Sequence, residues 1–550
     1  MTDPSDVAST PGPSAVLTLT VNGAEVDVPD AGWSLLEVLR HHLGLVSVKD
    51  GCSPQGQCGC CTVLVDGKPR VACVTPARRV RGRSVVTLDG LDAERRARWG
   101  EAMCAVGGSQ CGFCTPGIVV RLDALVAEAE AAGSTVDDAD VDQALLAHLC
   151  RCTGWQTIGE ATRVVLGAGA AAVEHRGPDD RDLEAATRRA AIEGRSPQRV
   201  DPAVALGAGR FAADTAPPGA LLAVSDGRGG WAVGETLTEA RAAAGKVQGR
   251  RTTAPHRHPL ELPPGVWDAT LRTTWVDGAY LETDASWCAP GGEPSSPVAN
   301  GGAFGAKLEG SPPGALDVGA AARRLADEHG RPVLVLASRE DVARFAPKRP
   351  PVAGGMRADG TGVLRLAAGP EQAEALAASV AAVAPQLVLE PVAVPGPPTS
   401  AAVRAAGWAE AIVLSAGVAG RLDPVRSPDG AEATAAVDIG ADGEPTIRVS
   451  VRCGQVLDPV VLRSYSIGAA HMAWSWLTSE AILVDDDGTV HDLTVRSFGV
   501  LRAVDTPHIE VELLDDDRPP VNGSDAVFAA VAAAGWLAND CRPDWPIGRS

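Results

Sequence analysis

The stretch DGCSPQGQCGCCTVLVDGKPRVAC, residues 50 to 73, holds five cysteines, and ten of the 13 in the chain fall between Cys52 and Cys152. Structural disulfides are rare in the reducing cytoplasm. The start, MTDPSDVASTPGPSAV, has neither the basic flank nor the apolar run of a secretory signal. We therefore expect residues 1–14 to be a disordered leader, the protein to be cytoplasmic, and the crowded thiols to hold metal. No uninterrupted apolar run of about 18 residues appears, so no membrane span is expected. A net charge of −20 excludes a nucleic-acid or anionic-membrane surface, which needs clustered Lys and Arg.

At 550 residues the chain is too long for one core, and two to four domains are expected. Residues 15–90 read as a β-grasp domain. AVLTLTVNGAEVDVPD alternates about Asn22-Gly23, a hairpin signal, and WSLLEVLRHHLGL has helical periodicity with Ser34 as its cap. CTVLVDGKPRVAC gives a second hairpin about Asp66-Gly67. A plant-type 2Fe-2S cluster takes three thiolates from one loop and a fourth from further along. Cys52, Cys58, Cys61 and Cys73 fit that layout, although five residues separate Cys52 from Cys58 where the pattern has four. Cys60 is then a bystander. The rival is a zinc-stabilised, non-catalytic scaffold, but structural zinc sites usually use two close cysteine pairs and this loop is a longer wrap.

Residues 91–170 read as a four-helix bundle whose loops carry the C-x-x-C of SQCGFCTPGIVV and the C-x-C of LLAHLCRCTGWQTIGEA. Thr115 is expected to cap the second helix, with Pro116 at its first position.

QCGFCTPG and LCRCTGW, downstream of a ferredoxin-like loop, closely resemble the xanthine dehydrogenase and aldehyde oxidase family of molybdenum hydroxylases. The resemblance implies that Cys111, Cys114, Cys150 and Cys152 hold a second 2Fe-2S cluster near a molybdopterin, which Gln110 approaches. Residues 171–200, charged and Pro-containing, are expected to be a linker. Residues 201–550 resemble the family's molybdopterin-binding subunit, through SPQRVDPAVALGAGRFAADTAPPGALLAV, GAYLETDASW, GGAFGAK, GPPTSAAVRAAGWAEA and PPVNGSDAVFAAVAAAGWLA in family order. That resemblance would put Gly301, Gly302, Phe304 and Gly305 beside the pterin and molybdenum, and Arg404 toward the substrate.

The departures weigh against a complete pocket. A short loop between Trp287 and Gly301 replaces a family segment carrying a metal-side glutamine, and a large subdomain is skipped between Arg426 and Ala431. Where the family has a catalytic glutamate in Gly-x-Gly-Glu, this chain reads Gly523-Ser524-Asp525. A base one methylene shorter matters, since a displacement of about 1 Å can cost roughly 10²-fold in rate. Asp525 reads equally well as an N-cap.

The expected fold is therefore α+β: a β-grasp domain, a helical bundle, and a mixed region with strands in ATLRTTWV, RPVLVLAS and PTIRVSVRC. The expected function is an electron-transfer subunit of a hetero-oligomeric molybdenum hydroxylase. The molybdopterin would lie on a catalytic partner, and FAD, if used, on another. The alternative is a self-contained hydroxylase of an aldehyde or N-heterocycle, with Asp525 as base.

Overall fold

In the computed structural model, residues 16–167, 181–245, 251–308, 316–441 and 443–548 are described; the expected leader lies outside them. The first two segments of alternating sequence pair as expected. Val16–Val21 runs antiparallel to Ala24–Pro29 through Asn22 and Gly23, both at positive φ, and Thr62–Val65 pairs with Lys68–Val71 through Asp66 and Gly67 in the same way. Ser84–Val86 lies parallel to Val16–Val21 and joins the two hairpins into one five-stranded sheet. Against it packs the helix Leu35–Glu37, which widens into a π turn over Val38–His42 and is capped by the Ser34 hydroxyl. This is the β-grasp arrangement.

Four helices follow: Ala93–Val106, Thr115–Ala132, Asp138–Leu145 and Gln156–Val165. Cys111 and Cys114 precede the second, and Cys150 and Cys152 precede the fourth. Thr115 does not cap its helix. It is the first helical residue, Cys114 stands at the cap position, and the Thr115 hydroxyl pairs with Ser109 Oγ at 3.1 Å.

Of the segment expected as a linker, 171–180 lies outside the described residues and the rest is packed structure. The helix Leu183–Gly194 buries both Arg189 and Glu193, which pair at 3.0 Å. Arg189 also donates to the carbonyls of Gln455, Val456 and Val521, and Arg181 clamps Asp458 at 2.8 and 3.0 Å. The charges that suggest a solvated tether are spent on internal contacts.

Beyond residue 200 lie three four-stranded sheets. The expected strands appear as Ala269–Arg272, Val333–Leu336 and Pro445–Arg452, one in each sheet. Two apolar helices, Pro459–Thr478 and Ser524–Ala538, pack on each other and on the third sheet. Both are buried nearly all round, as their uniformly apolar sequences require. Among the described residues no helix is long and apolar enough to cross a membrane.

Candidate functional site

Both cysteine sets are brought together and buried. In the first, Cys52, Cys58, Cys60 and Cys61 are each 1% exposed and Cys73 5%. Cys52 makes side-chain contact with Cys58 and Cys73, and Cys73 with Cys61. Backbone N–H groups already point at sulfur: Gln55 donates to Cys52 Sγ at 3.2 Å and Cys73 to Cys61 Sγ at 3.4 Å. Cys60 touches Cys58, so sequence position alone does not set it apart.

The C-terminal region holds this loop in place. Gln55 Nε2 donates to Glu340 Oε1 at 2.8 Å and to the Leu493 carbonyl at 2.7 Å. Arg496 donates to the Gln57 carbonyl at 2.8 Å, and Arg339 to that of Gly51 at 2.6 Å. Outside the loop, Ser53, Pro54, Gln55 and Gln57 form one wall of an open groove of about 980 Å³, faced by Arg241 and Ser338.

The second set resolves into two pairs. Cys111 and Cys152 have their sulfurs 3.6 Å apart, Cys114 contacts Cys150, and Thr153 Oγ1 lies 3.2 Å from Cys150 Sγ. Pairs of thiols suit two irons with two thiolates each. The donor sets therefore fit 2Fe-2S clusters.

Molybdopterin fares differently. Gln110, expected at the pterin, donates from Nε2 to Ser464 Oγ at 3.0 Å, and that hydroxyl donates to the Gly107 carbonyl at 2.7 Å. The buried helix Pro459–Thr478 thus supplies the partner of Gln110 Nε2, while Gln110 Oε1 has no partner among the described residues. Gly301 and Gly302 lie beside the thiols, and a Cβ on Gly302 would meet Cys111 Sγ at 3.0 Å. Gly305, at φ +87°, passes so near the Ala402 carbonyl that a Cβ would stand 1.8 Å from its oxygen. The glycines let protein pack on protein.

Arg404 and Asp525 are brought together, but as an ion pair. Arg404 Nε lies 3.1 Å from Asp525 Oδ1 and Arg195 Nη2 lies 2.5 Å from Oδ2. The Arg404 guanidinium stacks 4.2 Å from the Phe304 ring centroid, and burial pushes it down from its ordinary pKa while Asp525 opposes. Asp525 is not the N-cap. Gly523 stands there, and Asn522 Oδ1 accepts from the Asp525 N–H at 3.0 Å while Glu193 accepts from those of Gly523 and Ser524. A carboxylate held from both sides is poorly placed to act as a base.

Little space remains between these groups. One cavity of about 30 Å³ is lined by Phe304, Arg404, Arg151 and Glu480, and one of about 10 Å³ by Cys111, Cys152, Gly302 and Lys307. Cofactor pockets hold roughly 300–1,000 Å³. Neither of these two cavities is large enough for a molybdopterin.

The sequence offered no sign of Arg195, Glu193 or Ser464, since each acts through partners more than 100 residues away. Nor did it mark Glu282, which sits by the second thiol set paired with Lys307 at 2.7 Å and is pushed up to about 7 by burial. Of the outlying thiols, Cys104, Cys288 and Cys453 are buried and Cys541 is half-buried.

The fold and the paired thiols define a two-cluster iron–sulfur protein. Residues 18–88 match the family described as a 2Fe-2S iron-sulfur cluster binding domain, and residues 87–163 a [2Fe-2S] binding domain. A probable xanthine dehydrogenase component of Bacillus subtilis is 38% identical over 138 residues, 25% of this chain and 77% of that one. A nicotinate dehydrogenase small FeS subunit of Eubacterium barkeri is 34% identical over 149 residues, 27% of this chain and 92% of that one. The aldehyde oxidoreductase structure from Desulfovibrio gigas superposes with a TM-score of 0.66 at 15% identity, over 94% of this chain and 97% of that chain, which establishes a shared fold. The chain belongs to the xanthine dehydrogenase and aldehyde oxidase family of molybdenum hydroxylases, and is an oxidoreductase component with two 2Fe-2S domains.

Proposed function

We propose that this chain is the iron–sulfur electron-transfer subunit of a hetero-oligomeric molybdenum hydroxylase, and that its own molybdopterin-like region is a scaffold. Cys52, Cys58, Cys61 and Cys73 hold the first cluster, and Cys111, Cys114, Cys150 and Cys152 the second. Each bound cluster would carry one electron at a time. The Gln55 and Cys73 N–H groups and the Thr153 hydroxyl, all within reach of sulfur, would set their potentials.

The observation that carries this reading is the closure beside the second thiol set, where Gly302 lies on Cys111 and Arg404 and Arg195 hold Asp525. A self-contained hydroxylase would need that space open and that carboxylate free. The oxidising centre then belongs to a partner, as the names of the two bacterial relatives, each one component of a dehydrogenase, suggest. Electrons would enter at the second cluster. They would leave at the Ser53–Gln57 loop, whose outer side lines the open groove, toward a flavin subunit or another acceptor.

Dye reduction with aldehyde or N-heterocycle substrates tests this. The chain alone, with both clusters loaded, is expected to give no substrate-dependent turnover, and the complex purified with its genomic neighbours to give it. Turnover by the chain alone would make it a complete hydroxylase.

A further inference from the structure

A second cleft, of about 780 Å³, opens where the 251–258 segment, the 492–497 strap and the C-terminal residues 542–548 meet. Its charges do not balance. Two acids border it, and both are matched: Asp544 is clamped by Arg272 at 2.7 and 2.9 Å, and the buried Asp492 accepts from the Leu483 and Thr252 N–H groups and faces His256 Nε2 at 3.6 Å. The bases are left over. Arg251 and Arg542 are exposed, and neither has a carboxylate within ion-pair distance among the described residues. Arg542 donates only to the Ile547 carbonyl, at 3.2 Å. His258, held below its ordinary pKa chiefly by burial, lies beside them with its Nε2 3.2 Å from the Trp545 carbonyl and adds no charge at neutral pH.

One donor on the same wall also lacks a hydrogen-bond acceptor among the described residues: the indole N–H of Trp545, a residue 1% exposed. A buried donor left unpaired is costly, and forked guanidinium groups match the geometry of phosphate and carboxylate oxygens. In a chain of net charge −20, such a concentration of unmatched bases on one cleft is a local exception.

We infer that this cleft binds a small, multiply charged oxyanion through Arg251, Arg542 and the Trp545 indole. Its volume suits a metabolite-sized ligand. The chemistry is shared by organic phosphates and polycarboxylates. The inference does not rest on the electron-transfer reading.

Calorimetric titration of the full, iron-loaded chain at low salt with pyrophosphate, and separately with citrate, tests it. Saturable binding of pyrophosphate alone would assign a phosphate ligand, and of citrate alone a polycarboxylate; either supports the site. Arg251→Glu with Arg542→Glu is expected to weaken that binding at least about tenfold, as loss of two charge-assisted contacts should. Trp545→Phe should weaken it several-fold, and Arg421→Glu, on another surface, should leave it unchanged. If the double reversal loses its visible spectrum, Arg251→Gln and Arg542→Gln singly replace it, each expected to weaken binding. Heats at the level of dilution with both anions, or binding that survives these substitutions, would overturn the inference.

Discussion

Gly302 lies against Cys111: a Cβ at this position would come to 3.0 Å from Cys111 Sγ and 3.4 Å from Cys152 Sγ, tighter than side chains ordinarily sit. The contact ties the C-terminal region to the second thiol set. Position 302 also sits at φ +104°, a conformation that L side chains rarely adopt. Gly302→Val is therefore expected to displace the second cluster and spare the first, lowering iron from about four to about two per chain, one 2Fe-2S cluster's worth. Gly369→Ala, at an open position, is the control. Iron analysis with EPR of the reduced protein checks this, and two intact signals in the valine variant would refute it.

Cys60 and Cys61 are adjacent and equally buried, but only Cys61 both contacts Cys73 and receives a backbone N–H at its sulfur. Cys60→Ser should keep the visible absorbance of both clusters. Cys61→Ser should lose that of the first. The reverse result would exchange their roles.

Asp525 separates scaffold from enzyme. Removing one partner of a buried ion pair leaves an uncompensated charge, at a cost of about 3–5 kcal/mol. Asp525→Asn is expected to lower the unfolding free energy from denaturant titration by that order while leaving dithionite reduction of both clusters unchanged. Arg404→Met with Asp525→Leu should recover much of the loss. An Asn variant of full stability would show that the Arg404 contact at 3.1 Å does not hold the region together.

Acid should destabilise the protein above the range of ordinary carboxylates. Burial pushes His148 and His471 down from 6.5 to about 3, with further lowering from Arg121 and Arg151 respectively. Between those values the unfolded chain binds the extra protons, so stability present above pH 6.5 is lost as pH falls. Glu282 acts oppositely: raised by burial from 4.5 to about 7, its contribution is lost as pH rises through that window. Taken alone, these three groups give a loss of roughly 1.4 kcal/mol per pH unit between 6.5 and 4.5, and His41, also lowered to about 3, acts in the same direction. Thermal unfolding at pH 7, 6 and 5 should show this fall. His471→Leu, which removes a ring whose Nε2 has no acceptor among the described residues, should reduce it by about that amount. An unchanged slope would mean that His471 is not held neutral.

The hairpins at Asn22-Gly23 and Asp66-Gly67, the Ser34 cap and the bundle helices were legible because each is set by residues within a few positions of one another. The cysteine sets were legible for the same reason. The 171–200 segment was not. Arg181 and Arg189 look like solvated charges until Asp458 and the carbonyls of Gln455, Val456 and Val521 are brought to them from over 260 positions away. Asp525 misled in a similar way, since helix-start position suggests capping and only tertiary contact with Arg195 and Arg404 assigns its charge. The GGAFG residues were expected beside a pterin and molybdenum, whereas here Gly302 approaches Cys111 and Gly305 the Ala402 carbonyl, neighbours the sequence does not name.

Metal content tests the central claim most directly. Iron, molybdenum and zinc would be measured on the purified chain, expressed alone and again with its genomic neighbours. The expected result is about four irons per chain in both, as two 2Fe-2S clusters require, with molybdenum only in the co-purified complex. Stoichiometric molybdenum on the chain alone would contradict the closed site between Gly302, Arg404 and Asp525, and zinc in place of iron would contradict the clusters themselves.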